Sequence, residues 1–273
     1  MTEELSPDLR ARLALMERLV PEARAITLPL FHTGVEPEDK SSENGFPGFD
    51  PVTAADRDAE AHLRERIADA FPDDTLEGEE FDDQPGTSGF AWTLDPIDGT
   101  RAFVAGVPVW STLIAVSEAG HPRLGLIDLP ALDQQVWGTG ESAWRIDARG
   151  RTALRTRPCP TLEHAILGCT APFGMFGEGE RAAYRMVRSG VRFSRLGLDA
   201  LGYALVASGR MDIIVEAGLK PYDVRALIPV VEGAGGRLTD WRGGDASEGG
   251  RVVAVGDARL LPELYEYLGR ALE

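Results

Sequence analysis

Asp95 and Asp98 stand three positions apart in the stretch Trp92-Thr93-Leu94-Asp95-Pro96-Ile97-Asp98-Gly99-Thr100. Carboxylates are hard oxygen ligands, and a close pair invites a divalent cation able to bridge to a phosphate ester. The neighbouring residues say how the pair is presented. Phe90 to Leu94 reads as an apolar strand; Pro96 fixes its own φ and biases Asp95 toward an extended conformation, so the strand should end there in a sharp turn. If Thr100 opens a helix, the free amides of that first turn face the same space and suit a phosphate oxygen. Taken alone, the segment is equally well a plain strand-to-helix turn, since Asp-Gly is a common turn pair and Asp or Thr a common N-cap.

Other carboxylates shift that balance. Asp50-Pro51-Val52-Thr53-Ala54-Ala55-Asp56 leads into residues 57–71, where Ala59, Leu63, Ile67 and Ala70 repeat at helical spacing. Thr53 is placed to cap this helix and Asp56 falls in its first turn, where an acidic residue also stabilises the helix dipole with no further role. Glu77-Gly78-Glu79-Glu80 follows a short strand, Thr75-Leu76; by itself such a cluster reads as a solvated face. Asp223, in Lys220-Pro221-Tyr222-Asp223, opens a late helix through Val224 to Gly233. Asp56, Glu79, Asp95, Asp98 and Asp223 thus occupy strand ends or helix starts. If they converge, each close pair repels by about 4 kcal/mol at an effective dielectric near 20. Such a cluster needs cations, and Mg²⁺ is the usual partner of phosphate oxygens.

Composition narrows the class. The chain has 273 residues, 43% hydrophobic and 26% charged, enough for one large or two small domains of an ordinary soluble protein. A net charge of −16 argues against nucleic acid or an anionic membrane as partner, and means an anionic substrate must be drawn by something local, such as a bound metal. The first residues, MTEELSPDLRARLALMERLV, scatter charges through the apolar positions and do not read as a secretory signal. No apolar run approaches a membrane span. Cys159 and Cys169 lack metal-site spacing and read as reduced thiols of a cytoplasmic protein. The histidines His32, His62, His121 and His164 are scattered, which leaves a His-based nucleophilic mechanism little support.

The elements that must carry these groups follow from periodicity. Leu9, Leu13, Met16, Leu19, Ala23, Ile26 and Leu30 predict a helix over 8–30, kinked or restarted at Pro21. Residues 32–50 form a polar loop rich in Gly, Pro and Ser, expected to close over bound substrate. Strands at Ser111–Ser117, Arg123–Asp128, Gln135–Thr139 and Ser142–Asp147 are spaced for an antiparallel meander, so the first half reads as two helices on a largely antiparallel sheet. Residues 148–162 are the expected seam. Beyond it strands and helices alternate in the α/β manner: Ala165–Cys169, Glu180–Ser189, Val191–Arg195, Ala200–Ser208, Met211–Val215, Arg251–Val255 and a closing helix Pro262–Leu272. The expected architecture is one compact α+β unit, with lobes over 1–155 and 156–273.

Val52-Thr53-x-x-Asp56, Gly78-Glu79-Glu80, Asp95-Pro96-Ile97-Asp98-Gly99-Thr100, and Tyr222-Asp223-Val224 with Glu232-Gly233-Ala234-Gly235-Gly236 together resemble the inositol-monophosphatase-like, metal-dependent small-molecule phosphatases. Order and spacing agree over nearly the whole chain. The resemblance implies a layered αβαβα sandwich and two or three Mg²⁺ ions. Glu79, Asp95 and the Ile97 carbonyl would surround the first, Asp95, Asp98 and Asp223 the second, and Glu79 would face a third through water. It implies further that Asp56 and Thr100 pair to orient and deprotonate the attacking water, that the Gly99 and Thr100 amides hold the phosphate, and that the protein is a homodimer.

Within that family, Asp98-Gly99-Thr100-Arg101-Ala102-Phe103-Val104-Ala105-Gly106-Val107-Pro108-Val109-Trp110 and Gly218-Leu219-Lys220-Pro221-Tyr222-Asp223 look most like the histidinol-phosphate phosphatases. Glu216 falls where family members meet the non-phosphate part of the substrate, and Asp199, in Gly197-Leu198-Asp199-Ala200, matches an acidic position of the histidinol-phosphate branch; an acidic pair there suits a cationic alcohol. The plainer readings are that Asp199 caps the helix beginning near Ala200 and that Glu216 ends a strand facing water. Leu198 and Ala200 depart from the Gly-Asp-Cys pattern of that branch, and Lys40, upstream of the Val-Thr motif, is given no role. The expected activity is Mg²⁺-dependent hydrolysis of a small phosphorylated alcohol, L-histidinol phosphate first. An inositol or broad sugar-phosphate phosphatase is the alternative, and a non-catalytic metal-binding regulator the alternative of another class.

Overall fold

The structure, a computed structural model of the chain, describes residues 5–39 and 51–270. Lys40 and the rest of the expected closing loop over 40–50 lie outside the described residues. Helix α1 (Pro7–Thr33) opens on Ser6, whose hydroxyl accepts the Leu9 amide at 3.2 Å, with Pro7 at a position that needs no amide of its own. The helix is not restarted at Pro21: α1 continues through both Pro21 and Pro29. An internal proline costs about 3 kcal/mol. Against that, Leu9, Met16, Leu19, Val20 and Ala23 are buried along one face, and a buried side chain of Leu size contributes about 1.5–3 kcal/mol.

A short antiparallel pair, β1 (Glu38–Asp39) with β2 (Pro51–Val52), precedes helix α2 (Ala54–Ala70). Helices α1 and α2 cover one face of a seven-stranded sheet through Leu63, Ile67, Trp92, Leu94, Ile114 and Leu126. Its order is β3 (Thr75–Gly78), β4 (Phe90–Asp98), β5 (Ser111–Glu118), β6 (His121–Leu129), β7 (Gln134–Gly138), β8 (Ala143–Asp147), β9 (Gly150–Ala153). Strand β3 runs parallel to β4 and every later pair is antiparallel, the meander read from the turn spacing. Between β4 and β5 lies the five-residue helix α3 (Thr100–Val104).

The remaining chain alternates β10 (Ile166–Cys169), α4 (Glu178–Gly190), β11 (Phe193–Leu196), α5 (Ala200–Ala207), β12 (Ile213–Leu219), α6 (Pro221–Val224), α7 (Leu227–Gly233), β13 (Arg237–Asp240), β14 (Gly250–Val255) and α8 (Leu261–Gly269). Its strands form a second sheet, β11-β10-β12-β14-β13. Helices α5 and α7 lie between the two sheets, with Ala204, Val206, Val230 and Val231 packed against Leu113, Ile127 and Val136 on one side and Ile214, Val252 and Ala254 on the other. Helices α4 and α8 close the outer face through Tyr184, Val187, Leu264 and Leu268. The layers therefore run αβαβα, as the resemblance implied. The late helix expected to open at Lys220-Pro221-Tyr222-Asp223 and run through Val224 to Gly233 is divided at Arg225 and Ala226. Pro229 has no amide to give the Arg225 carbonyl, so the helical ladder fails there.

Candidate active site

The two aspartates of β4 reach the same space because the strand is bulged. Asp95 faces Leu113 and Asp98 faces Ser111, so three steps on β4 match two on β5. In an unbroken strand residues three apart point to opposite faces; one extra residue restores them to the same side. Bonds fix the bulge: the Ile97 amide donates to Asp95 Oδ1 at 3.1 Å and the Thr112 hydroxyl donates to the Pro96 carbonyl at 2.8 Å. Gly99 then takes φ +80, the left-handed region, and the chain enters α3 at Thr100, whose hydroxyl donates to the Ile97 carbonyl at 3.1 Å.

Asp98 is also the cap of a distant helix. Its Oδ2 accepts the Ser111 hydroxyl at 2.9 Å and the Ala200 amide at 2.9 Å, the latter 102 residues along the chain at the start of α5. Asp199, which the plainer reading made the cap of that helix, makes no side-chain cap bond. It holds φ +47, an uncommon state for a residue with a Cβ, and its carboxyl lies against Gly99, where an added Cβ would come within 3.0 Å of Asp199 Cγ. Gly99 is thus required by both its φ and its neighbour.

Asp223 arrives from the second half of the chain at the start of α6, its Oδ2 accepting the Lys220 amide at 2.7 Å in a capping-box arrangement. Carboxylate oxygens of Asp95, Asp98 and Asp223 lie within 4.8 Å of one another. Burial, and then the charges of Glu79, Asp98, Asp223 and Asp56, hold the Asp95 carboxyl well above its ordinary range. Burial raises Asp98 as well, opposed by the Ala200 and Ser111 bonds. The donors are hard oxygens gathered where negative charge is costly, which is the chemistry of a divalent cation site. Asp56 stands behind this group. It is 1% exposed and its Oδ2 accepts both the amide (2.8 Å) and the hydroxyl (2.6 Å) of Thr53.

The cluster forms one wall of a cavity of about 630 Å³, where Glu79, Asp95, Ile97, Asp98, Gly99, Thr100 and Asp223 meet Gly197, Asp199, Tyr203 and Glu216. All the expected site residues except Asp56 line it. Asp199 is pushed up to about 7 by burial and by the charge of Asp98, against the pull of Arg101. Glu216 does not end a strand facing water; it lies within β12, 2% exposed, its Oε1 accepting the Thr170 amide at 2.7 Å and hydroxyl at 2.9 Å. Burial pushes it up to about 8. Thr170 and Tyr203 were missed as wall residues. Tyr203 sits in an apolar helix where its spacing reads as core, and nothing in the sequence distinguishes Thr170 from a loop residue.

The profile of the inositol monophosphatase family matches residues 13–273. The chain belongs to the inositol monophosphatase family. Members of this family are metal-dependent, in keeping with the oxygen cluster above. Among relatives, a bifunctional phosphatase IMPL2, chloroplastic, from Arabidopsis thaliana is 42% identical over 80% of this chain, which spans 65% of that relative's length. A histidinol-phosphatase from Chlorobaculum parvum is 36% identical over 88% of each chain. The solved structure of an inositol monophosphatase from Zymomonas mobilis superposes with a TM-score of 0.83 at 34% identity, covering 97% of this chain and 100% of that one. This family member has, among its described residues, no helix long and apolar enough to cross a membrane, and both cysteines are buried and free.

Proposed function

We propose that the protein is a Mg²⁺-dependent phosphomonoesterase of the cytoplasm that hydrolyses L-histidinol phosphate to L-histidinol and phosphate. The observation that carries this reading is one cavity lined by two sets of carboxylates: Asp95, Asp98 and Asp223, and with them Asp199 and Glu216. The first set needs cations and so can receive a phosphate; the second suits the ammonium and imidazole of a cationic alcohol better than a neutral polyol.

In this reading Glu79, Asp95, the Ile97 carbonyl, Asp98 and Asp223 hold the metal ions. Mg²⁺ bound there supplies charge to the phosphate oxygens, to the attacking water and to the departing alkoxide. The chain's own groups do the rest. Thr100 Oγ1 donates to the Ile97 carbonyl as the chain stands; turned toward Asp56, it would take a proton from the attacking water while passing its own to the Asp56 carboxylate. Gly99 and Thr100 direct their amides at the phosphate at the turn into α3. Asp199, with Gly197 beside it, and Glu216 orient the alcohol. An inositol monophosphatase is the second reading, supported by the Zymomonas mobilis neighbour.

Phosphate release from L-histidinol phosphate, inositol 1-phosphate and fructose 1,6-bisphosphate, each with Mg²⁺ and with excess EDTA, tests the assignment. Mg²⁺-dependent preference for histidinol phosphate is the expected result. Preference for inositol 1-phosphate moves the second reading forward, and no release from any of them favours a non-catalytic regulator. A homodimer is also proposed. Edge strand β11 leaves Phe193 (41%) and Leu196 (46%) exposed, and Phe173 is exposed as well (61%); sedimentation velocity gives the state directly.

A further inference from the structure

Glu60 and Arg64 form an ion pair on α2 that is almost wholly out of water, at 0% and 6% exposure, with Arg64 Nε 2.8 Å from Glu60 Oε1. A buried pair of this kind contributes little net stability, because desolvating both charges offsets their attraction. The partners of the pair point to another role. Glu60 Oε2 accepts the Glu80 amide at 2.9 Å, while Arg64 donates to the Phe81 carbonyl at 3.0 Å and the Asp82 carbonyl at 3.1 Å. Those three residues follow Glu79 directly. On its other side Gly78 packs so closely that an added Cβ would stand 2.2 Å from Glu60 Oε1. The segment leaves β3 at Gly78 and is closed at its neck by the reciprocal backbone bonds of Leu76 and Gln84, at 2.9 and 2.8 Å. Between neck and tip, the side chains of Glu60 and Arg64 stand in for a sheet partner.

We propose that Glu60 and Arg64 are positioning residues that set the backbone of residues 78–82 and thereby aim the Glu79 carboxylate at the metal cluster. The inference rests on the reading of Glu79 as a metal ligand. The pair acts by geometry: one carboxylate and one guanidinium fork grip an amide and two carbonyls, which fixes both the path and the rotation of the loop. An ammonium cannot do the same, since it lacks the planar fork.

The test is Mg²⁺ binding by calorimetry, with the melting temperature in EDTA as a separate readout, on Glu60→Gln, Arg64→Lys, Glu79→Gln and the double variant Glu60→Gln/Glu79→Gln. Loss of such an outer partner is expected to weaken Mg²⁺ binding about ten-fold or more. Glu60→Gln and Arg64→Lys should each show this, while adding Glu60→Gln to Glu79→Gln should change Mg²⁺ binding less than about two-fold, because the group being aimed is already gone. If Glu60→Gln lowers the melting temperature in EDTA but leaves Mg²⁺ affinity unchanged, the pair is merely structural and the proposal is overturned. Equal, additive losses in the double variant overturn it too, since Glu60 would then act independently of Glu79. If Glu79→Gln itself leaves Mg²⁺ binding unchanged, the reading of Glu79 falls and the proposal falls with it. Should Arg64→Lys not fold, Glu60→Gln and the double variant, which keep side-chain shape, still decide the matter.

Discussion

Arg225, at the turn between α6 and α7, is ion-paired with Glu77 at the end of β3. The same guanidinium donates to Thr93 Oγ1 at 3.2 Å, the Ser247 carbonyl at 3.2 Å and Glu248 at 2.8 Å. Arg225 lies two positions after Asp223 and Glu77 two before Glu79, so this pair joins the two halves of the chain beside the cluster. Arg225→Ala is expected to lower stability by about 1.5–3 kcal/mol, the range for hydrogen bonds to charged groups. Arg225→Lys should recover only part, since one ammonium cannot serve four acceptors spread in this way. Urea unfolding in EDTA measures both.

Two substitutions of Asp98 should part company. Asn keeps an oxygen that can accept the Ser111 hydroxyl and the Ala200 amide, whereas Ala abandons the cap of α5. Asp98→Asn is therefore expected to lose Mg²⁺-dependent phosphate release with little change in melting temperature. Asp98→Ala loses the same activity and also about 1–2 kcal/mol of stability. Thermal melts beside an activity assay distinguish them.

The metal-free protein should become less stable as pH rises. Asp95 is held well above its ordinary value, and Asp199 and Glu216 are pushed up to about 7 and about 8. In the unfolded chain such groups titrate near 4. A raised folded value means the native state holds the proton more tightly. That contribution is full below about pH 4 and is lost as pH climbs through the folded values. Melting temperature in EDTA should fall between pH 5 and 8.5, with added Mg²⁺ restoring most where the loss is greatest. Calorimetry in buffers of different ionisation enthalpy should show protons released on Mg²⁺ binding near neutrality.

Glu216→Gln and Asp199→Asn test the second set of carboxylates. Each keeps side-chain size and removes a carboxyl that could ionise against a bound cation. For a cationic alcohol the expected effect is a rise in KM of about ten-fold or more, the scale of one charged hydrogen bond. The KM for inositol 1-phosphate should change less. A uniform effect on both substrates would remove these residues from substrate discrimination.

The sequence disclosed the ends of elements better than what meets across them. Pro96 and Gly99 announce a turn through their own backbone limits, so the presentation of Asp95 and Asp98 was readable before any fold was known. The bulge that brings both to one side depends on β5 as partner, and its register is not written in β4 alone. Strand β9 was missed because all its residues are exposed, which leaves no alternation to find; β13 has only Leu238 buried among four residues. Asp199 and Ala200 read as an ordinary helix start, and only the fold shows Asp98 taking the cap. Glu60 and Arg64 look from the sequence like any i, i+4 surface pair.

The cavity wall comes from segments near residues 79, 95–102, 197–203 and 216–223, which are joined by long stretches of chain. Closing such loops is slow and comes late in folding, because the entropy of bringing distant parts together precedes any reward from their contact. The cluster is therefore complete only once both sheets and the helices between them have docked. A fragment ending before Asp223 lacks one of the three converging carboxylates, so the ion has little to recognise until the last stage of assembly. A cation held there would act as a lock on the finished molecule, lengthening its lifetime by slowing unfolding rather than by hastening its formation.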